Sequence, residues 1–298
     1  LETDTAGVLS LSVSFKDVGG EAGVTVIDTT DGTAITFEIN SEGGAVVDGP
    51  FQSARAFADY NGNGALDEGE PSDLTDANGE YELVKTNDAP AAYNIVVEMT
   101  ADTIDSISGE SYADSTLTLK APSGGNVVTP LTTVLVAAQA ADPTFTAADL
   151  AVAMGLPLGI DIETYNPFAS GMIASEAHAV EKVFQQVMTA TLILAEAMEG
   201  VAGIVDATLS AQDASAAALL AVTKMITESA VTVDFSDSTQ IADLQAAAKT
   251  ELLAQGIVDE ASSDIADYVL GNAADTVTQL SVAIQAVPET DFAQPASS

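Results

Sequence analysis

The sequence predicts an α+β protein of two domains, an antiparallel β-sandwich over residues 1–125 and an α-helical bundle over residues 126–298. The periodicity of the apolar residues carries this prediction. They alternate with polar residues over short segments of the first part, and they recur at helical spacing in the second. The chain has 298 residues, of which 47% are hydrophobic, so both domains can bury sizeable cores.

Strand-like alternation accounts for most of the first part. The segments that show it are 8–15, 24–28, 33–40, 81–84, 93–99 and 115–120. Turn-forming pairs separate them, namely Gly19-Gly20, Asp31-Gly32, Gly43-Gly44 and Asn78-Gly79. Asn78-Gly79 suits a two-residue hairpin turn, in which both residues take positive φ. Several short strands with frequent turns favour a sandwich over a parallel sheet.

A linker, "APSGGNVV" (121–128), precedes the helical pattern. Thr129 and Pro130 have the composition of an N-cap followed by proline at the first helical position. "TAAD" (146–149) resembles a capping box, and Gly155 and Gly256 are stop signals. The predicted helices include 146–154, 175–200, 210–229, 238–255 and 260–286. The uninterrupted apolar runs are shorter than the ~20 residues of a bilayer span, so no transmembrane helix is expected.

Residues 59–70, "DYNGNGALDEGE", have the ligand spacing of a calcium loop. Oxygen-bearing side chains stand at positions 1, 3, 5, 9 and 12, glycine stands at position 6, and position 7 offers its carbonyl. These positions are Asp59, Asn61, Asn63, Gly64, Ala65, Asp67 and Glu70. The sequence therefore predicts Ca²⁺ as a bound ion. Two ligands are asparagine, which indicates the weak affinity of extracellular sites. The alternative is a polar surface loop that binds no ion.

The surroundings of this loop carry a resemblance to a known family. "GPFQSARAFADYNGNGALDEGEPSDLTDANGEYEL" (49–83) resembles the calcium-binding B-type repeats of Gram-positive surface adhesins, which are small prealbumin-like β-sandwiches. With "VVTPLTTVL" (127–135) it is also similar to modules of large secreted proteins of Gram-negative bacteria. The resemblance implies a prealbumin- or immunoglobulin-like sandwich with an EF-hand-like loop, and it adds Asp76 as a further calcium ligand. Residues 1–48 precede the repeat and are not explained by it.

Charge and composition narrow the classes of partner. The net charge of −38, from 45 acidic and 7 basic residues, disfavours nucleic acid and anionic lipid and attracts divalent cations. The chain contains no cysteine, which excludes disulfides, thiol nucleophiles and thiolate metal sites. Bound calcium would then serve as the cross-link. Because the chain begins at Leu1 without a basic leader, a mature or trimmed form is expected.

Other candidate sites are weaker. The acidic segments 28–32, 102–105 and 234–237 could each hold a second ion, although solvated acidic turns are the favoured explanation, and Asp234 and Asp237 could cap the next helix. His178 is the single histidine, without the partners that a metal site needs, so a structural role is expected. Triad and zinc motifs are absent, and no particular acid pair indicates a hydrolase, so the protein is not expected to be an enzyme.

The expected function is that of an extracellular bacterial structural protein, such as an adhesin or a subunit of a surface layer or filament. Calcium would rigidify its β-domain, and its partners would be copies of itself or neighbouring surface proteins, without nucleic acid and without membrane insertion. The apolar, alternating segment 6–15 could add a strand to a neighbouring subunit or pair within its own sheet. The alternative function is an extracellular binding module with a ligand groove in the helical domain.

Overall fold

Six α-helices and several small β-sheets make up the part of the chain that the structure describes. The structure is a computed structural model, and the described residues are 2–3, 9–10, 25–27, 34–36, 41–47, 50–86, 89–106, 108–113 and 115–291. The chain divides into two compact units, residues 1–40 and residues 41–298. The predicted α+β class is therefore confirmed, and the predicted domain boundary at residue 125 stays a prediction.

In residues 1–40 the described segments form two short antiparallel pairs. Strand β1 (Glu2–Thr3) pairs with β2 (Leu9–Ser10), and β3 (Thr25–Ile27) pairs with β4 (Ala34–Thr36). The described parts of the three predicted N-terminal strands are thus strands, and residues 9–10 pair within their own chain. The predicted turns at Gly19-Gly20 and Asp31-Gly32 lie outside the described residues.

The strands of residues 41–298 form two larger sheets and one small one. One sheet has the order β12-β10-β7-β8, the second has the order β13-β5-β9, and β11 pairs with β6. The bounds are β5 Ser41–Val46, β6 Phe51–Gln52, β7 Arg55–Asp59, β8 Ser72–Leu74, β9 Glu80–Val84, β10 Asn94–Glu98, β11 Ile104–Asp105, β12 Thr118–Pro122 and β13 Val127–Val128. All pairings are antiparallel except that of β13 with β5.

One apolar cluster joins the two larger sheets. On β9, Tyr81 and Leu83 are buried while their neighbours in the strand are exposed. They pack in the same cluster as Ile95 and Val97 of β10 and Leu119 of β12. The period-two alternation of these strands places their apolar side chains on one face, and the shared core holds the sheets together.

The prediction of a turn at Gly43-Gly44 is wrong, because both residues lie inside β5, between β13 and β9. A Cβ on Gly44 would stand 2.6 Å from Tyr81 Oη and 3.1 Å from the carbonyl oxygen of Asn126. Glycine is therefore needed for the close approach of the Tyr81 side chain and not for a turn. The prediction failed because Tyr81 is remote in sequence.

The Asn78-Gly79 turn exists, but it is not the predicted two-residue hairpin. Only Gly79 has positive φ, and its N–H donates to the carbonyl of Asp76. The strands on either side, β8 and β9, lie in different sheets. A Cβ on Gly79 would stand 2.6 Å from the carbonyl oxygen of Val46, which packs β5 against this turn.

The predicted linker 121–128 is also wrong at both ends. Ala121 belongs to β12, and Val127 and Val128 form β13, and all three are buried. The apolar side chains of this segment fill the core, so only residues 123–126 connect the two strands.

The helices follow the sequence signals closely. Their bounds are α1 Pro130–Ala141, α2 Ala147–Ala153, α3 Ala174–Ile204, α4 Ala211–Glu228, α5 Ser238–Ala254 and α6 Ser263–Ala286, followed by a 3₁₀ turn at Glu289–Asp291. Thr129 caps α1 as predicted and also forms a capping box with Thr132. Thr146 forms the predicted capping box with Asp149, and Asp237 caps α5. Gly155 and Gly256 take positive φ just beyond α2 and α5, as predicted.

Helices α3 to α6 pack in sequence order, and α6 also packs against α3. Helix α1 packs against α4 and strand β12, where the hydroxyl of Thr132 donates to the carbonyl of Lys120 and the hydroxyl of Thr133 accepts from the N–H of Lys120. Hydrogen bonds between helix side chains and the strand backbone therefore join α1 to β12, in addition to apolar contact.

By length and apolar composition, α3 is the one described helix that could cross a membrane. The expectation of no transmembrane helix rests on the uninterrupted apolar runs, which polar residues shorten in α3 without lowering the mean hydropathy of the helix much. About half of this 31-residue helix, including His178 and Glu181, is buried against its neighbours. The absence of membrane insertion stays a prediction.

Candidate functional site

The candidate site is the loop between β7 and β8. It begins at Asp59, the last residue of β7, and returns to β8 through Pro71, whose carbonyl accepts the N–H of Ala58. β7 and β8 are antiparallel neighbours, so the loop connects adjacent strands of one sheet. An ion bound in it would fix the end of a buried strand to the strand beside it.

Asp59 organises the first half of the loop. Its side chain is 2% exposed, and Oδ1 accepts the N–H groups of Gly62 (2.8 Å) and Asn63 (3.1 Å). Oδ2 accepts the N–H of Gly64 at 2.9 Å. Gly64 has φ 76°, so the sharp bend predicted at position 6 is present. The carboxylate thus orders its own loop before any ligand is considered.

Glu70 closes the second half. Its Oε1 accepts the N–H of Tyr60 at 2.7 Å, and its Oε2 accepts the N–H of Asp67 at 2.9 Å. Tyr60 follows Asp59 directly, so one carboxylate holds both ends of the loop. Each of its oxygens keeps a lone pair beyond the one that accepts the N–H.

Two asparagine amides meet at Asp67. The Nδ2 atoms of Asn61 and Asn63 donate to Asp67 Oδ2 at 2.6 and 2.7 Å. Their Oδ1 atoms accept the N–H groups of Asn63 and Ala65. The two amide groups therefore offset part of the negative charge on Asp67 Oδ2. A cation bound at the same oxygen would offset more of that charge.

The donor set fits calcium with one adjustment. Asp59 and Glu70 keep lone pairs for a cation, and side-chain and backbone oxygens are the ligands that Ca²⁺ takes. Asn61 and Asn63 would have to turn over their amides, which exchanges oxygen for nitrogen and gives up the hydrogen bonds that their Oδ1 atoms accept from the N–H groups of Asn63 and Ala65. Within the described residues no three His, Cys, Asp or Glu side chains form a metal-binding group, so the site depends on these two amides.

The predicted site residues belong to two segments of the chain. The loop contains Asp59, Asn61, Asn63, Ala65, Asp67 and Glu70. Asp76 instead lies in the turn before β9, where its Oδ1 accepts the N–H groups of Asn78 and Glu80. These hydrogen bonds give the Asp76 carboxylate a structural role in the turn. Its role as a calcium ligand stays a prediction of the resemblance.

A group of contacts that connects the loop to the rest of the β part was not predicted from the sequence. The ring of Tyr60 packs edge-on against Tyr93, with centroids 5.0 Å apart. Tyr93 Oη donates to the carboxylate of Glu42, which also accepts the N–H of Gly124 and pairs with Lys85 at 3.2 Å. Burial and this hydrogen bond raise the pKa of Tyr93. The loop is thereby connected to four other segments of the chain, and the only sequence signal of this was the tyrosine within the motif.

The weaker candidates have structural explanations. Asp237 caps α5, whereas Asp234 accepts from Ser236 and from Gln285 of α6. Asp105 accepts the N–H of Ser108. The segment 28–32 lies outside the described residues. His178 is buried in α3, and burial lowers its pKa, which keeps it neutral at physiological pH.

No protein-family model, curated protein or solved structure matches this chain.

Proposed function

We propose that the chain is an extracellular bacterial structural protein whose β part is rigidified by Ca²⁺ bound in the loop 59–70. The observation that carries the proposal is the pair of carboxylates at the two ends of the loop. Buried Asp59 accepts three backbone N–H groups, and Glu70 accepts one near each end. Hydrogen bonds from these carboxylates to the backbone already hold the loop in a closed conformation. A cation bound between the carboxylates would stabilise that conformation further.

A structural role suits the position of the loop better than a sensor role. Strands flank it, whereas sensors of the EF-hand type transmit calcium binding through flanking helices. In a chain without cysteine, calcium would act as the cross-link between β7 and β8. In this proposal the two larger sheets form a prealbumin-like sandwich, and helices α3 to α6 form a bundle.

The strongly negative net charge of the chain supports a location outside the cell and an association between acidic protein surfaces that depends on cations. With a net charge of −38, copies of the chain repel one another unless cations lie between them. We infer that the partners are further copies or neighbouring surface proteins, as in an adhesin, surface layer or filament. Nucleic acid and membrane insertion are not part of the proposal, nor is catalysis.

The test is the size of the particles in calcium and in excess chelator, measured by light scattering and negative-stain microscopy on one preparation. We expect ordered assemblies that need calcium. Magnesium at equal concentration is the control, because it screens charge equally but demands a rigid octahedral site. Equal particle size in all three conditions would contradict the structural proposal.

The N-terminal segment is tested in the same experiment. Strand donation by residues 6–15 predicts that a variant lacking residues 1–15 stays folded and loses the assemblies. Assemblies that survive this deletion would exclude donation and leave pairing within the chain, which the β1–β2 pair favours.

A further inference from the structure

A cavity of about 170 Å³ lies between strand β12 and helices α1, α3 and α4. Its floor is apolar and is formed by Leu117, Leu119, Val187, Met188 and Leu219. The first four of these residues are buried. Val187 belongs to the helical core and the other three buried residues belong to the core of the sheets, so the cavity occupies the junction of the two.

The rim is polar and partly open to solvent. Thr116, Gln212 and Ala216 line it and are exposed. The hydroxyls of Thr116 and Ser215 lie 3.1 Å apart and join the segment before β12 to α4. A ligand could therefore enter beside α4 and bury its apolar part against the floor.

The charge of the lining is opposite to that of the chain. Among the described residues that line the cavity, Lys120 is the single charged one, although the chain has 45 acidic and only 7 basic residues. Its ammonium lies beside Gly64 of the loop, 3.4 Å from where a Cβ on that glycine would stand. An anionic head group would meet Lys120 without meeting a carboxylate of the lining.

The volume of the cavity limits the size of the apolar part of a bound ligand. An apolar cavity of about 150 Å³ in another protein holds one benzene molecule, so this cavity has room for about six carbons. Water gains little there, because the floor offers few hydrogen-bond partners.

We propose that this cavity binds a small monocarboxylic acid, with the apolar tail on the floor and the carboxylate at Lys120. The proposal does not rest on calcium binding in the loop 59–70. Because Asn63 and Gly64 also line the cavity, calcium and the acid would influence each other's affinity, and the sign and size of this coupling can be measured from either side.

The test uses hexanoate and the uncharged hexanol as probes of the full chain. Methyl NMR of methionine follows binding, since Met188 lines the cavity and Met225, which does not, is an internal reference. We expect both probes to shift the Met188 signal, with hexanoate binding more tightly. Lys120→Met should weaken hexanoate by roughly tenfold or more while hexanol binds as before, because only the ion pair is lost.

Two further variants complete the test. Ala216→Leu places a larger side chain at the exposed rim, where it does not disturb the core, and should abolish binding of both probes. Lys224→Met removes a lysine of α4 that does not line this cavity and should change neither affinity. The proposal is overturned if neither probe shifts Met188, if Ala216→Leu leaves binding intact, or if Lys120→Met binds hexanoate as the wild type does.

Discussion

Glu70→Ala is expected to abolish the part of the stability that depends on calcium. In the proposed site Glu70 supplies both carboxylate oxygens, and without it the remaining ligands cannot enclose the ion. Binding to the folded state alone stabilises by about 2.7 kcal/mol when calcium exceeds its dissociation constant a hundredfold. For a unit of this size that is a rise in Tm of roughly 5–10 °C, which the variant should lose.

The control is Glu68→Ala. Glu68 lies in the same loop, carries the same charge and is exposed, but it stands at a position that supplies no ligand. Glu70→Ala also removes two backbone hydrogen bonds, so its stability in chelator will fall. The informative quantity is therefore the difference in Tm between calcium and chelator for each variant. Equal differences for Glu70→Ala and Glu68→Ala would remove Glu70 from the site.

Glu181→Gln is expected to remove a loss of stability that the wild type suffers as pH rises. Glu181 lies on α3 and is 6% exposed, and Gln185 donates to its Oε1. Oε2 is buried without a hydrogen-bond partner among the described atoms. Burial raises the pKa of this carboxyl from 4.5 to about 7, and Asp105 adds to the effect.

The direction of the pH effect follows from the two pKa values. Between pH 4.5 and about 7 the folded state keeps a proton that the unfolded state releases, so the free energy of unfolding falls as pH rises. This one group should cost roughly 3 kcal/mol above pH 7 relative to acid conditions. Glutamine carries no charge at either pH and avoids the cost.

Urea unfolding at about pH 5 and about pH 8 measures this effect. Other carboxyl groups titrate in the same range, so the comparison is the change between the two pH values in variant and wild type. Glu196→Gln, an exposed residue of the same helix, is the control and should behave as the wild type. A Glu181→Gln variant whose stability changes with pH as much as that of the wild type would contradict the assignment.

The helices could be predicted because residues close to each helix end determine where the helix begins and stops. Thr129 with Pro130, Thr146 with Asp149, and Gly155 all act within a few residues of one another. The spacing of Asp59 to Glu70 is equally local, which is why the loop was recognisable before its geometry was known.

The errors in the predicted turn and linker arose where residues distant in sequence determine the local structure. Gly44 is a strand residue because Tyr81 packs over it, and Val127 and Val128 form a strand because β5 lies beside them. The cavity beside Lys120 depends on one strand and three helices meeting, and no single segment encodes it. The hydrogen bonds of the two asparagine amides to Asp67 are local, but they depend on the three-dimensional path of the loop, which the ligand spacing does not specify.

Calorimetric titration of the wild type with Ca²⁺ tests the central claim most directly. The account predicts saturable binding at the loop with a dissociation constant of about 10⁻⁴ to 10⁻³ M, the range of extracellular modules, and its loss in Glu70→Ala. Diffuse, non-saturating heat that is unchanged in Glu70→Ala and disappears in high salt would mean that calcium only screens the acidic surface, and it would contradict the account.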